Sequence, residues 1–371
     1  MVFVAGPRQV GKTTMAQSLI ATDGPGKYYS YDNVRDRRLV LDARWPPPPS
    51  LLVLDEFHKY RFWKRWIKGE YDVHKLDYRF LVTGSARMDI YRRGGDSLQG
   101  RYHHLRLHPF SMRELQGERP TAEPHTSLTF TSTSDQSALD SLFQRGGFPE
   151  PLFAANDRHH RRWQKERNER FFREDVRDLE AIRDLSSMQL LSELLPERVG
   201  SPLSINALRE TLQVSHRAVS HWLDVLERLY FAFRVAPFSG KLERALHKET
   251  KLYLWDWSLI ADEGARFENL VASHLLKLCH FLEDAHGYDA RLGYIRDKEK
   301  REVDFVVTVK RKPWFVVEVK LSDTSPSPSL NYFAERLHIP HVFQVVKQSG
   351  VDFVKNNVRV MSAAQFLAGV A

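Results

Sequence analysis

Eight residues close to the N-terminus combine glycine, lysine and threonine at a spacing that suits the binding of phosphate. They read Gly-Pro-Arg-Gln-Val-Gly-Lys-Thr over Gly6–Thr13 and match the pattern G-x-x-x-x-G-K-[ST]. The two glycines allow the backbone to curl, so that successive N–H groups point at one anion and the lysine reaches the β- and γ-phosphates of a nucleotide. We therefore predict ATP contacts from this loop and the residue after it: Gly6, Gly11, Lys12, Thr13 and Thr14.

The residues on either side of this loop must form a strand and a helix if the loop is to hold phosphate. Met1–Ala5 is a short apolar run that suits a buried strand, and Thr14–Ile20 has helical spacing. Strand, glycine-rich turn and helix together favour a nucleotide site over a plain turn that merely contains Gly-Lys-Thr. In this interpretation Lys12 acts in catalysis through the phosphates, and the Thr13 hydroxyl is a predicted Mg²⁺ ligand.

A second apolar strand ending in acidic residues is the feature that hydrolysis at such a loop requires. Leu51–Leu54 is continuously apolar and is followed by Asp55 and Glu56. A continuous apolar run is typical of a central parallel strand, and the C-terminal end of such a strand is where an α/β sheet places its ligands. We predict that Asp55 holds Mg²⁺ and that Glu56 accepts a proton from the attacking water.

Two further polar positions follow this acidic pair. Arg79–Val82 predicts a third strand, which is followed by Thr-Gly-Ser-Ala. Ser85 in that segment either contacts the γ-phosphate or caps a helix, and the sequence favours neither interpretation over the other. Arg101, in Leu-Gln-Gly-Arg, either neutralises transition-state charge, in its own subunit or across a homo-oligomer, or is an ordinary surface arginine.

Composition limits the class of protein. The 371 residues predict roughly two to four domains, and the 42% hydrophobic and 27% charged content is typical of a globular chain. The formal net charge of +8 permits DNA binding. Cys279 is the single cysteine, which excludes an internal disulfide, and the short apolar run Met1–Ala5 does not predict a signal peptide. The sequence has no apolar stretch of about 20 residues that would predict a membrane span. We expect a cytoplasmic protein with no membrane partner.

The C-terminal third of the chain holds a second group of residues suited to phosphate chemistry. Asp304 lies in one β-branched run, Glu318 and Lys320 lie on one face of the next, and Glu268 lies in the first turn of a predicted helix, Phe267–Leu278. The carboxylates of Glu268, Asp304 and Glu318 are hard oxygen ligands suited to Mg²⁺ or Mn²⁺. Such a metal would activate water, so Asp304, Glu318 and Lys320 are predicted to be catalytic, Lys320 by positioning the nucleophile or shielding charge.

This C-terminal pattern resembles the PD-(D/E)xK nuclease superfamily. Val303 replaces the proline that normally precedes the aspartate, a departure that the superfamily accepts. The spacing alone is weak, because exposed strand faces often alternate Glu and Lys. Two alternatives to an active nuclease therefore stay open: a nuclease-like fold kept as a scaffold or binding platform, and no such fold at all.

Residues 186–236 have the spacing of a winged helix-turn-helix. The predicted helices are Met188–Leu195, Ile205–Leu212 and a third that starts after Ser215 and runs to Leu229, and a strand follows at Phe231–Val235. Basic side chains would occupy the exposed start of the third helix, where a DNA groove is contacted: His216, Arg217 and His221. The alternative is a winged helix used only for packing.

The stretch between the nucleotide motifs and this region has two parts. Residues 118–137 are rich in Pro, Thr and Ser and predict a flexible connection. Arg158–Arg177 predicts a basic helix, which either touches nucleic-acid phosphates or presents a solvated face with Trp163, Phe171 and Phe172 packed inward. Interleaved acidic residues favour the second interpretation.

Five motifs in combination resemble a known family. GPRQVGKTT, LLVLDE, RFLVTGSA, LQGR and GGFPE (Gly146–Glu150) follow this order in prokaryotic AAA-type ATPases that carry a C-terminal domain of unknown function 4143. The resemblance spans essentially the whole chain. It implies an ATPase domain at the N-terminus.

The expected fold is α/β and multidomain. It comprises an AAA-type P-loop ATPase domain with a parallel sheet (1–117), a flexible linker and basic helical region (118–185), a winged helix-turn-helix (186–236) and an α/β restriction-endonuclease-like domain (237–371). Our leading hypothesis is an ATP-hydrolysing protein that couples nucleotide state to DNA binding, with Mg²⁺-dependent DNA cleavage by its C-terminal domain. The competing hypothesis is a nucleotide-dependent switch or adaptor whose inactive nuclease-like domain binds a protein partner.

Overall fold

The chain folds as two units. The computed structural model describes residues 1–22, 24–84, 98–118, 123–130, 135–177, 184–238 and 249–370. The first unit consists of Met1–His108 with Arg228–Tyr230, and the second of Pro109–Glu227 with the described residues from Phe231 onward. The division of the chain into four regions stays a prediction.

A parallel sheet forms the centre of the first unit. Its strands are β1 (Val2–Ala5), β2 (Gly26–Ser30), β3 (Ser50–Asp55), β4 (Tyr78–Thr83) and β5 (His103–Arg106). Their order is β2-β3-β4-β1-β5, and all neighbours are parallel. β3 is buried along its whole length, as the continuous apolar run predicts. Because β3, β4 and β1 are adjacent, the acidic pair, the Thr-Gly segment and the phosphate loop meet at one edge of the sheet.

Helices cover this sheet: α1 (Lys12–Thr22), α2 (Val34–Leu41) and α3 (Trp63–His74). α1 begins two residues before the predicted helix, so Lys12 and Thr13 belong to its first turn. α3 carries Trp63 and Ile67 four residues apart, on one face, and both join a core cluster that contains Phe3 and Phe80.

The second unit contains a mixed sheet of eight strands in the described residues. They are β6 (Ala232–Pro237), β7 (Lys251–Leu254), β8 (Ala290–Arg296), β9 (Glu302–Val309), β10 (Lys312–Lys320), β11 (His341–Val346), β12 (Asp352–Lys355) and β13 (Val358–Ser362). Their order is β12-β13-β11-β10-β9-β8-β6-β7. The strand that follows the predicted helix-turn-helix, β6, therefore pairs with β8 within this sheet, and β7 is an edge strand.

Ten helices of the described residues belong to the second unit. They are α4 (Met112–Leu115), α5 (Gln136–Arg145), α6 (Pro149–Ala154), α7 (Asp157–Arg170), α8 (Leu185–Leu194), α9 (Ile205–Leu212), α10 (His216–Arg228, apart from its last residue), α11 (Glu263–His286), α12 (Pro328–Leu337) and α13 (Ala363–Val370). Of the helices in the described part of the chain, none has the length and apolar character needed to cross a membrane.

The helix-turn-helix spacing corresponds to α9 and α10. Ser204 caps α9 by accepting a hydrogen bond from the Ala207 N–H (3.3 Å), and the Ser215 hydroxyl accepts one from the Ala218 N–H (3.1 Å). The turn between them contains Gln213 with a φ of 56°. The buried face of α10 is apolar, while His216, Arg217 and His221 are exposed. A DNA-binding role for this helix pair stays a prediction.

Part of the segment predicted to be a flexible connection packs against the C-terminal sheet. The Trp314 indole N–H donates to the Thr126 carbonyl oxygen (2.9 Å), and the Phe130 ring stacks on that of Phe366. The local composition is polar, but Leu128 and Phe130 provide apolar surface that the segment can bury. The composition of residues 118–137 does not predict this packing.

The two glycines of the GGFPE motif pack closely against neighbouring residues of the second unit. Gly146 has a φ of 75°, and a Cβ on Gly147 would overlap the Phe110 carbonyl oxygen and the Trp257 ring. Both positions therefore require glycine. The motif has a packing role here.

The basic helix α7 continues as a π-helical turn, Phe171–Val176. Trp163, Phe171 and Phe172 are buried, as expected if the helix presents a solvated basic face and packs its aromatic residues inward. Its exposed Arg162 pairs with Glu166 at 2.6 Å, so the basic and acidic side chains of the outer face partly neutralise one another.

Candidate functional site

The phosphate loop has the backbone shape that its glycines permit. A Cβ on Gly6 would clash with the Leu107 carbonyl oxygen, and Gly11 has a φ of 101°. Lys12 is 7% exposed, and its ammonium donates hydrogen bonds to the carbonyl oxygens of Gly6 (3.0 Å) and Pro7 (2.7 Å). The lysine thus lies against the loop that it is predicted to serve. Thr14 is exposed in the first turn of α1.

Asp55 is the centre of a hydroxyl network at the end of β3. Its Oδ2 accepts hydrogen bonds from the Thr13 hydroxyl (2.8 Å) and from the Tyr28 hydroxyl (2.5 Å). Its Oδ1 accepts one from the Thr83 hydroxyl (2.5 Å). The structure therefore brings together the loop, the acidic strand and the neighbouring strand end, as the motifs predict.

This donor set fits Mg²⁺. The Thr13 hydroxyl and the Asp55 carboxylate are hard oxygen groups in direct contact, which is the ligand chemistry that Mg²⁺ prefers. Thr13 and Asp55 are thus the residues that would hold the ion. Thr83 and Tyr28 fix the orientation of the carboxylate.

Tyr28 was missed by sequence reasoning. It lies on β2, where no spacing rule connects it to the acidic strand, and only the register of β2 on β3 brings its hydroxyl to Asp55. Burial, and then the hydrogen bond to Asp55, raise the pKa of Tyr28, so the phenol stays protonated and donates.

Glu56 lies next to this network in a left-handed backbone conformation, with φ 56° and ψ 20°. Its Oε2 is 3.4 Å from the Lys59 ammonium and 3.7 Å from His58 Nε2. Burial raises the pKa of Glu56, while Lys59 and Lys12 oppose that shift. A raised pKa suits a group that takes up a proton, and the role as general base stays a prediction.

Ser85 and Arg101 are the other two predicted nucleotide contacts. Ser85 lies outside the described residues. Arg101 forms a two-point ion pair with Asp72, with Nε–Oδ1 at 2.7 Å and Nη2–Oδ2 at 3.1 Å. Any role of Arg101 in its own or a neighbouring subunit stays a prediction.

The C-terminal residues predicted to act together do converge. Asp304 on β9 accepts a hydrogen bond from the Val319 N–H at 2.8 Å, and Lys320 pairs with Glu318 Oε1 at 2.8 Å. Glu268 is close enough for its charge to act on Asp304. It lies in the second turn of α11 and not in the first, because Asp262 caps the helix and α11 begins at Glu263.

A lysine that sequence reasoning passed over lies among these acids. The Lys251 ammonium is 2.6 Å from Glu302 Oε1, 3.3 Å from Glu268 Oε1 and 3.9 Å from Asp304 Oδ1. The Tyr253 hydroxyl also donates to Glu268 Oε1 (2.7 Å). The signal available in the sequence was the strand Lys-Leu-Tyr-Leu, whose first and third residues share a face.

Burial dominates the electrostatics of the acidic group. Burial raises the pKa of Glu268 and of Glu318 to about 7 each, and the charge of Asp304 adds to both shifts. Burial also raises the pKa of Asp304, although Lys251 opposes it. Among these carboxylates, ionisation is therefore costly unless a cation is close.

The C-terminal residues do not fit a divalent metal. One oxygen, Glu318 Oε2, is buried without a hydrogen-bond partner and is the single feature in favour. Against it, the Lys251 ammonium already lies beside Glu268, Glu302 and Asp304, in the place that a metal ion bound by these carboxylates would occupy. Among the residues that the structure describes, no group of three or more His, Cys, Asp or Glu side chains is arranged to hold a metal ion.

Family models match three parts of the chain. An AAA domain matches residues 1–116, a domain of unknown function (DUF8612) matches 136–264, and a domain of unknown function (DUF4143) matches 263–366. The first and third matches agree with the family that the motifs resemble.

Curated relatives are distant. "Uncharacterized protein Rv2008c" of Mycobacterium tuberculosis is 22% identical over 341 residues, which cover 87% of this chain and 71% of that protein. "Uncharacterized protein MJ1637" of Methanocaldococcus jannaschii is 23% identical over 377 residues, which cover 88% of this chain and 76% of that protein.

Solved structures with detectable similarity include two P-loop proteins. The R170A variant of RuvB from Thermotoga maritima shows 15% identity over 63% of this chain and 81% of its own, with a TM-score of 0.29. ORC1 of Aeropyrum pernix, solved in complex with DNA, shows 15% identity over 73% and 86%, with a TM-score of 0.31. No conclusion about this chain depends on these two similarities. A model of an AAA domain and a model of DUF4143 thus match the two ends of the chain, in the order that the motifs predict.

Proposed function

We propose that the first unit binds and hydrolyses ATP with Mg²⁺ and that the second unit binds DNA in a manner that depends on the nucleotide. The observation that carries the first part is the Asp55 carboxylate, which accepts hydrogen bonds from Thr13, Thr83 and Tyr28 at the mouth of the phosphate loop. The AAA domain match over residues 1–116 supports the same assignment.

The residues of the site have distinct tasks in this proposal. Lys12 exchanges its hydrogen bonds with the Gly6 and Pro7 carbonyls for contacts with phosphate oxygens. Glu56 orients a water molecule and accepts its proton. Mg²⁺, when bound, neutralises charge on the β- and γ-phosphates.

ATP hydrolysis is tested with Lys12→Ala, measured as phosphate release at saturating ATP and Mg²⁺. We expect a loss of about 10²–10³-fold, because a charged donor to the transferred phosphate is removed. Lys27→Ala is the matched control, since Lys27 is exposed on β2 and is expected to leave hydrolysis unchanged. Turnover that survives Lys12→Ala would overturn the assignment.

DNA binding is supported by α10, whose exposed N-terminal half carries His216, Arg217 and His221. The test is fluorescence anisotropy of labelled duplex DNA at several salt concentrations, with ATP or ADP. We expect Arg217→Ala to weaken binding and to reduce the salt slope by about one unit, whereas exposed Lys355→Ala on β12 changes neither. A flat salt response would favour the alternative, an adaptor that binds a protein partner through these surfaces.

DNA cleavage is not part of this proposal. Of the carboxylates predicted to bind its metal, Glu268 and Asp304 lie 3.3 and 3.9 Å from the Lys251 ammonium, and Glu318 is paired with Lys320. Cleavage of linear, circular or branched DNA in Mg²⁺ or Mn²⁺ that is lost in Asp304→Ala would establish the nuclease hypothesis instead.

A further inference from the structure

Lys251 is the most deeply buried charged side chain of the C-terminal acidic group. It is 1% exposed, although β7 is an edge strand. The segment Gly200–Leu203 covers that edge, with the Gly200 N–H donating to the Leu252 carbonyl (3.4 Å) and the Leu203 N–H donating to the Thr250 carbonyl (2.8 Å). The lysine is thereby held inside the protein rather than at its surface.

Three carboxylates surround this ammonium from two elements. Glu302 and Asp304 come from β9 and Glu268 from α11, at 2.6, 3.9 and 3.3 Å from Nζ respectively. The spacing of two along β9 places Glu302 and Asp304 on one face of the strand, toward Lys251. A buried ammonium requires such compensation, because an unpaired charge in the interior is strongly unfavourable.

Neighbouring side chains of this chain complete the arrangement, one of them a second cation. The Arg296 guanidinium pairs with Glu302 Oε2 at 3.1 Å, and the Tyr253 hydroxyl donates to Glu268. Gly200, with a φ of 78°, lies so close to Glu268 that an added Cβ would be 3.0 Å from its Oε2. The loop, the phenol and the two basic groups therefore enclose Glu268 and Glu302.

A divalent cation bound by Glu268 and Asp304 would lie beside the Lys251 ammonium. Two positive charges that share the same carboxylates repel each other in a poorly solvated site. Glu318 is the remaining acid, and its Oε1 is already paired with Lys320. Mg²⁺ in proteins is usually held by one or two carboxylates, with water as its other ligands, and here the carboxylates that could hold it lie beside Lys251 or Lys320.

We propose that Lys251 is a built-in cation that supplies the positive charge a divalent metal would otherwise supply to Glu268, Glu302 and Asp304, so that this C-terminal site excludes Mg²⁺ and Mn²⁺. The domain keeps the acidic residues of a metal-dependent site as an internal ion-pair cluster. This inference is independent of ATP hydrolysis in the first unit.

The test measures Mn²⁺ binding by the full-length protein without nucleotide. Lys12→Ala and Asp55→Asn are combined as the parent, so that the phosphate-loop site does not contribute, and free Mn²⁺ is followed by electron paramagnetic resonance. We expect the parent to show no binding tighter than about 1 mM. Adding Lys251→Met removes the ammonium and is expected to create a site that binds Mn²⁺ at least about ten-fold more tightly.

Three variants of this parent serve as controls. Lys251→Arg keeps the positive charge and is expected to bind no Mn²⁺, and Glu268→Gln added to Lys251→Met is expected to abolish the new site. Lys277→Met removes a partly buried lysine that pairs with one carboxylate, Glu114, and donates to the Pro109 carbonyl oxygen (3.0 Å), and it is expected to create no site. Lys251→Gln repeats the test if Lys251→Met does not fold.

Two results would overturn the proposal. One is Mn²⁺ binding by the parent that Glu318→Gln or Asp304→Asn removes, a result that does not depend on the folding of any Lys251 variant. The other is a folded Lys251→Met protein that gains no Mn²⁺ binding. Neither result depends on whether the unmodified protein hydrolyses ATP, because the parent carries Lys12→Ala and Asp55→Asn and is studied without nucleotide.

Discussion

The two units each contain a buried acidic site, and the groups around the acids differ in charge. Asp55 in the first unit accepts hydrogen bonds from three neutral hydroxyl groups. Glu268, Glu302 and Asp304 in the second unit surround the ammonium of Lys251. Hydroxyl donors orient a carboxylate but leave its charge available to a cation, whereas an ammonium neutralises it.

This difference teaches that acidic residues at the expected spacing do not by themselves make a metal site. In the first unit, the carboxylate meets a phosphate loop and a threonine hydroxyl at the end of parallel strands. In the second unit, the comparable acids meet a lysine from an edge strand. The identity of the nearest donor therefore decides which site is suited to Mg²⁺.

The largest effect is expected at Glu56 in the first unit. Glu56→Gln removes the proton acceptor and leaves the hydroxyl network of Asp55 in place, so hydrolysis should fall about 10²–10⁴-fold while ATP binding persists. Phosphate release and ATP affinity, measured on the same sample, check the two parts. A variant that hydrolyses ATP at the normal rate would show that another group activates water.

Loss of Lys251 is expected to affect stability and not hydrolysis. Lys251→Met leaves three carboxylates without their buried cation and should lower the free energy of unfolding of the second unit by about 3–5 kcal/mol. Lys277→Met is the matched control. Burial lowers the pKa of Lys277, so its charge is disfavoured by its surroundings, and its replacement should cost less.

Urea unfolding, followed by tryptophan fluorescence, compares these two variants. Equal decreases in the free energy of unfolding for Lys251→Met and Lys277→Met would show that three carboxylates around a lysine add no more stability than one. That result would break the contrast between the two acidic sites.

Several elements of both sites could be predicted from the sequence because their signals are local. The phosphate loop, the run before Asp55, and the β9–β10 hairpin that joins Asp304 to Glu318 each follow from spacing within a few residues. Tyr28 and Lys251 could not be predicted in this way. Each reaches its acid from a different strand, and the contact depends on strand order and register.

A smaller effect is expected at Tyr28, which tests whether neutral donors matter for orienting Asp55. Tyr28→Phe removes one hydrogen bond to a carboxylate, an interaction of about 1.5–3 kcal/mol, so kcat should fall roughly 10- to 150-fold and the Mg²⁺ concentration for half-maximal rate should rise. Tyr60→Phe, an aromatic residue of the same unit, is the control and should change neither value. A fall in kcat without a change in the Mg²⁺ requirement would place Tyr28 outside the orientation of Asp55.

The smallest effect concerns the pH dependence of the second acidic site. The pKa of Glu318 is raised from 4.5 to about 7 in the folded protein, chiefly by burial. Between these values the folded state binds more protons than the unfolded state, so the stability that Glu318 contributes is present at low pH and is lost as pH rises toward 7. The charge of Asp304 contributes to this shift, so we expect about 1–2 kcal/mol from Glu318 itself, or roughly 2–8 °C in melting temperature.

Glu318→Gln should remove this pH dependence, because an amide does not ionise. The melting temperature of the variant, minus that of the unmodified protein, should therefore become more positive between pH 5 and pH 8, by roughly 2–8 °C. Glu335→Gln, an exposed carboxylate on α12, should show a constant difference. A melting-temperature difference for Glu318→Gln that becomes more negative as pH rises would mean that Lys320 more than compensates the charge of the buried carboxylate. The second site would then resemble a matched ion pair rather than an excess of acidic groups.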